Sequence, residues 1–172
     1  MKVTKEWQKL DNNLSCYLEE AFKAMNICYK VTKSNKQMVY SVNFPEKESF
    51  SETVNLVIDE MFSAEIFSYI ARGITEEKRH KVLEEINKIN DRFLFINSGI
   101  DENNDVYSCQ QFILAGSQKI MCKQIITNIV VFYDLYKRTS QKIQSIINSP
   151  WLKREIMIIY SCIKNFMGAF NS

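Results

Sequence analysis

Between residues 4 and 25, Trp7, Leu10, Leu14, Tyr17, Leu18, Ala21 and Met25 recur at intervals of three and four, which gathers them on one side of a helix. The period then changes. Cys28 to Lys33 reads as a short strand closed by a turn at Ser34-Asn35-Lys36. In the next stretch Met38, Tyr40, Val42 and Phe44 alternate with Val39, Ser41 and Asn43, a period of two. Pro45 ends that strand, because proline has no N–H to give to a ladder. Beyond a polar connection at 46–52, Val54, Leu56 and Ile58 alternate again. Past a turn near Asp59-Glu60, Ala64, Ile66, Ser68 and Ile70 face one way, with Phe67 and Tyr69 facing the other. Four strands in meander order predict an antiparallel sheet.

Helical spacing returns at Thr75, a good N-cap, with Glu76 and Glu77 placed favourably against the helix dipole. Val82, Leu83, Ile86 and Ile89 form the buried stripe. Phe93 to Ile100 and Val106 to Ala115 then read as a hairpin across the polar loop Asp101 to Asp105. After Gly116, Ser117 caps a long run in which Met121, Ile125, Ile129, Phe132, Tyr136, Ile143 and Ile147 share one broad face, with room for a bend near Thr139-Ser140. Ser149-Pro150 looks like a fresh helix start, and Trp151 to Phe170 predicts a last helix with Lys153, Arg154, Lys164 and Asn165 on its wet side.

The predicted order is α-β-β-β-β-α-β-β-α-α. Strands and helices are grouped and the sheet is mostly antiparallel, so the fold class is α+β. Residues 1–148 are expected to form one domain. Residues 149–172 would be a C-terminal helical extension packed on that domain or on a second copy.

The segment at Glu84 to Phe112 poses the sharpest question. A strand beginning at Phe93 would put Phe93 and Phe95 on one face and Leu94, Ile96 and Ile100 on the other. An antiparallel sheet with one wet face should alternate apolar and polar residues, so both faces are expected to be covered here. The chain's own last helix, a second copy or a client peptide could supply the second cover. Just before this strand stand Asn87 and Asn90, for which a structural role is expected. Asparagine can bond free carbonyls at a helix end, adopt the left-handed conformation that terminates it, or stitch the helix to the strand that follows.

Composition adds constraint and little chemistry. The net charge of +2 hides a split: residues 119–172 hold eight basic against two acidic side chains, while the first 118 hold 14 against 18. A basic third of this kind allows a nucleic acid or an anionic membrane surface as an alternative partner. Cys16, Cys28, Cys109, Cys122 and Cys162 are scattered, odd in number and without a CxxC pair, which suits reduced thiols in a cytoplasmic protein. The N-terminus is too polar for a signal peptide, and the run Ile156 to Ile163 is far short of the roughly 20 residues of a membrane span. The loop "DENND" places Asp101, Asn103 and Asp105 as a calcium loop would, but Val106 and Phe112 stand where that loop needs Gly and Glu. His80 sits among Lys78, Arg79 and Lys81 with no catalytic partner suggested by spacing. No catalytic residue, metal ligand or cofactor is expected.

The segment "INKINDRFLF…DENNDVYSCQQFIL" resembles the Asn-x-x-Asn helix end, strand, acidic turn and strand of the YbjN-like family. These bacterial domains are described as candidate sensory transduction regulators, and their fold is similar to that of type III secretion chaperones. By element order the resemblance runs over residues 16–141, most specifically over 75–136. The helix after Pro150 has no counterpart in it, and the basic last third departs from the acidic character of secretion chaperones. The resemblance implies a non-catalytic protein-binding module, chaperone-like or regulatory, acting through a sheet face and its C-terminal helices. A protein partner, a client peptide or a second copy in a homodimer is expected, and nucleic acid and membrane are not. Phe67, Tyr69, Phe93, Phe95 and Trp151 are the expected partner or dimer surface.

Overall fold

The computed structural model describes residues 5–34, 36–44 and 53–149, with side chains from residue 13 onward. The expected stop at Pro45, the connection at 46–52, the restart at Pro150, the last helix with Trp151, and the extension it belongs to lie outside these residues. The elements are α1 (Lys5–Ala24), β1 (Cys28–Lys33), β2 (Gln37–Asn43), β3 (Thr53–Asp59), β4 (Ser63–Ala71), α2 (Glu76–Arg92), β5 (Asn97–Ile100), β6 (Val106–Ile113) and α3 (Gln118–Ile147).

The strands make one antiparallel sheet in the order β1-β2-β3-β4-β6-β5. The meander expected from residues 28–71 is present, pairing Tyr40 with Leu56 and Leu56 with Ile66. Chain order breaks only after α2: β6 pairs with β4, which leaves β5 at the edge. Each of β2, β3 and β4 alternates between buried positions and half-buried ones, with Gln37 and Thr53 exposed at the strand starts. The buried row Met38, Tyr40, Val42, Val54, Leu56, Ile58, Ala64, Ile66 and Ile70 faces the helices and joins Leu14, Leu18, Phe22, Val82, Ile86, Ile89, Ile125, Ile129, Phe132 and Ile143 in one core. All three helices therefore lie on the same face of the sheet.

Local chemistry explains the ends of the helices. Asn26 takes a left-handed φ of 54°, and Ile27 donates back to the Phe22 carbonyl at 2.9 Å, which closes α1. Thr75 and Ser117 occupy the N-cap positions expected for α2 and α3. The long helix runs uninterrupted for 30 residues, about 45 Å, with no break at Thr139-Ser140. Thr139 and Ser140 are instead buried, and Thr139 lies beside Ile89 and Phe93 of the α2 end. These small side chains allow the two helices to approach closely.

One expectation fails. The strand placed at Phe93 begins at Asn97. Phe93 caps α2, its N–H bonded to the Ile89 carbonyl, and Leu94-Phe95 form a turn. Phe93 packs against the core, Ile96 is buried, and Leu94 and Phe95 are 89% and 72% exposed. The chain has to reverse between the end of a helix on one layer and an edge strand on the other. The apparent period of two in Phe93–Ile96 is thus a turn, and no second cover follows from it.

Candidate functional site

The opposite face of the sheet is built from the other half of each alternation. Register places Asn55 beside Phe67, Phe67 beside Cys109 and Cys109 beside Asn97 in one row. A parallel row runs from Tyr69 through Tyr107 to Gly99, and Glu65 stands opposite Gln111. Toward β2 and β3 this face is mostly polar, with Val39 beside Val57 its apolar pair: Ser41 donates to Asn55 at 2.9 Å, and Thr53 donates to Asn43 at 2.7 Å. Toward β4 and β6 it is aromatic. Among the described residues no helix lies over this face.

Glu65, Phe67, Tyr69, Asp101, Tyr107, Cys109 and Gln111 line a shallow depression of about 520 Å³. Phe67 and Tyr69 meet edge to face with ring centroids 6.2 Å apart. The absence of a side chain at Gly99 lets Tyr107 lie across it, since a Cβ there would stand 2.7 Å from the tyrosine hydroxyl. At one end the Arg72 guanidinium sits 3.5 Å from the Tyr69 ring centroid. Arg72 also pairs with Asp105 at 2.5 Å, and Asp105 accepts from the Gly73 N–H at 2.7 Å. The Arg72 hydrogen bond, followed by that of Gly73, holds the Asp105 carboxyl below the usual carboxylate range. Burial, then the Glu65 charge, pushes the Cys109 thiol up, so Cys109 is a thiol and not a thiolate at neutral pH.

The loop that suggested calcium is a hairpin turn. Asp101 Oδ1 accepts from the backbone N–H groups of Asn103 and Asp105 at 2.9 and 3.0 Å, and Asn104 carries the left-handed φ of 61° that the reversal needs. His80 does have a carboxylate neighbour one helical turn on: its Nε2 is 3.1 Å from Glu84 on an exposed helix face.

The expected surface residues fall in different places. Phe67 and Tyr69 come together in the depression. Phe93 lines a separate cleft of about 130 Å³ between α2 and α3 with Ile89, Arg92, Arg138, Thr139 and Lys142. Phe95 projects from its turn, and Trp151 lies outside the described residues. Of the two asparagines, Asn90 joins helix to sheet: its Nδ2 donates to the Ser98 carbonyl at 3.0 Å, and its Oδ1 accepts from the Ser98 N–H at 2.8 Å. Ser98 turns these groups away from β6, so Asn90 satisfies one residue of the sheet's outer edge as a further strand would. Asn87, one turn earlier, is exposed.

Sequence reasoning assigned Glu65, Tyr107, Cys109 and Gln111 to no surface and weighed Asp101 only as a calcium-loop position. In β6 both faces carry polar residues, so alternation gave no sign of which faced outward. The basic residues of the last third are dispersed along α3: Arg138 pairs with Asp134 at 2.8 Å, and Lys142 lies 3.8 Å from Glu85. None of the described helices is long and apolar enough to cross a membrane.

No family model matches the chain, and no curated protein matches it. Among solved structures, an uncharacterised protein from Methanothermobacter thermautotrophicus is similar with a TM-score of 0.54 at 13% identity, over 81% of this chain and 99% of that one. YbjN from E. coli, described as a candidate transcription regulator, is similar with a TM-score of 0.47 at 9% identity, over 76% of this chain and 91% of that one. At such identities the likeness is one of fold, and the fold shared with the Methanothermobacter thermautotrophicus protein is of the α+β class that the sequence predicted.

Proposed function

We propose that the chain is a non-catalytic protein-binding module, chaperone-like or regulatory, and that the helix-free face of its sheet makes the contact. The observation that carries this reading is the row of Phe67, Tyr69, Tyr107 and Cys109, half-buried side chains with no helix over them among the described residues. Closing a partner over them would remove apolar surface from water at about 25 cal/mol per Å². The polar border at Ser41, Asn43, Asn55 and Gln111 would form the wet rim typical of an interface. The family resemblance, with its chaperone-like fold and candidate regulators, agrees with this use of the sheet. A homodimer formed through the same face is one form of the proposal.

The test places a photo-activated cross-linking residue at exposed Gln111, within the face, and another at exposed Lys81, on the wet side of α2. The full chain is then irradiated in cells. Adducts with a polypeptide from position 111 and none from 81, lost when Phe67→Asp is added, are the expected result. Absence of adducts from position 111, or equal adducts from both positions, would overturn the proposal.

A further inference from the structure

Resting on the reading of the open face as a docking surface, we infer that its occupant is an extended peptide segment carrying lysine or arginine among apolar residues. The depression combines three aromatic rings, Phe67, Tyr69 and Tyr107, with two carboxylates; no basic side chain lines it, and Arg72, which stacks on Tyr69 at its end, is already paired with Asp105. Glu65 stands at one end of the row, opposite Gln111. Asp101 stands at its hairpin end, beyond Tyr107.

Aromatic faces attract cations through their quadrupoles, and a nearby carboxylate adds a charge-assisted hydrogen bond to the same group. This chain already makes such an arrangement once. The Arg72 guanidinium stacks on Tyr69 while pairing with the Asp105 carboxylate at the rim. The ring of Phe67, the next residue to Glu65 on the same face of β4, offers with that carboxylate a second version to a visitor. The raised Cys109 thiol, with the Glu65 charge among its causes, agrees with a negative potential inside the depression.

Geometry favours an extended visitor over a compact one. The depression is shallow and runs along β4 and β6. Glu65, Phe67 and Tyr69 follow one another at alternate positions, about 7 Å apart. A peptide in extended conformation presents its own alternate side chains at the same interval, so basic and apolar groups can match this row in register. An acidic segment would meet Glu65 and Asp101 as like charges.

The experiment measures fluorescence anisotropy of two labelled ten-residue peptides titrated with the full chain at low and moderate salt. One alternates arginine with leucine; the other alternates glutamate with leucine. The arginine peptide is expected to bind at least tenfold more tightly. Glu65→Lys is expected to reduce that binding at least tenfold, and Glu65→Gln by less, both with unchanged circular dichroism. Equal binding of the two peptides, or indifference to Glu65→Lys, would overturn the inference. So would adducts from position 111 consisting of a second copy or of the chain's own residues 150–172. If neither peptide binds while position 111 still captures another polypeptide, the cationic partner is refuted and the docking face stands. If position 111 captures nothing, the docking face itself is refuted.

Discussion

Replacing Asn90 with alanine should destabilise the protein far more than the same change at Asn87, three residues earlier on the same helix. Asn90 makes two hydrogen bonds to Ser98, at 3.0 and 2.8 Å. Ser98 is 7% exposed, and its hydroxyl is engaged 2.7 Å from that of Ser108. Loss of the amide would leave a backbone N–H and a carbonyl at the sheet edge with little access to water. An unsatisfied buried group costs about 1–3 kcal/mol, so Asn90→Ala should lose about 2–4 kcal/mol after partial hydration of the new gap. For a chain of this size that corresponds to a fall in Tm of roughly 5–15 °C. Asn87→Ala should stay within about 0.5 kcal/mol, as surface substitutions do. Urea unfolding followed by circular dichroism gives both values, and hydrogen exchange at the Ser98 amide gives a local readout that should accelerate only in Asn90→Ala. Equal unfolding midpoints for the two variants would refute the edge-capping role, as would an unchanged Ser98 amide.

Three further outcomes follow from the geometry. The Asp105 carboxyl is held below its ordinary value by Arg72 and Gly73, so its ionised form contributes stability above the unfolded-state pKa of about 4 and loses it as pH falls further. Urea midpoints of Asp105→Asn should therefore decline less steeply below about pH 4 than those of the parent protein, and parallel declines would refute the pairing. Tyr40→Phe should cost about 1 kcal/mol by removing the buried 2.7 Å bond to Ser15, and adding Ser15→Ala should cost little more; a double variant with fully additive losses would contradict this. Gly99→Ala should push the Tyr107 ring off its seat, because the new methyl would stand 2.7 Å from the hydroxyl. Stability should change by no more than about 1 kcal/mol, since alanine gains in strand propensity what the ring loses in contact; unchanged ring resonances of Tyr107 would refute the close approach.

Much of this architecture was legible in residue order alone. The period of two in Met38–Val42, Val54–Ile58 and Ala64–Ile70 identified the buried row, and the meander followed from the polar residues separating those runs. The stripe of Met121, Ile125, Ile129, Phe132, Tyr136 and Ile143 marked the inner face of α3. Such patterns report which side of a local element avoids water, so a local reading suffices for them.

Tertiary structure alone decided the rest. Whether β6 would lie between β4 and β5, and which of its faces would be wet, depended on partners distant in sequence. Ser108 and Gln110 are buried because Ser98 and Asn128 meet them at 2.7 Å, and that arrangement turns Tyr107, Cys109 and Gln111 outward. Phe93 and Phe95 suggested a strand by composition, yet the reversal from helix to sheet edge made them a cap and a turn. Residue order set the buried faces of β2, β3, β4 and α3; the candidate site arose where strands separated in the chain were laid side by side, because hydrogen-bond pairing and burial between distant segments leave no local period to read.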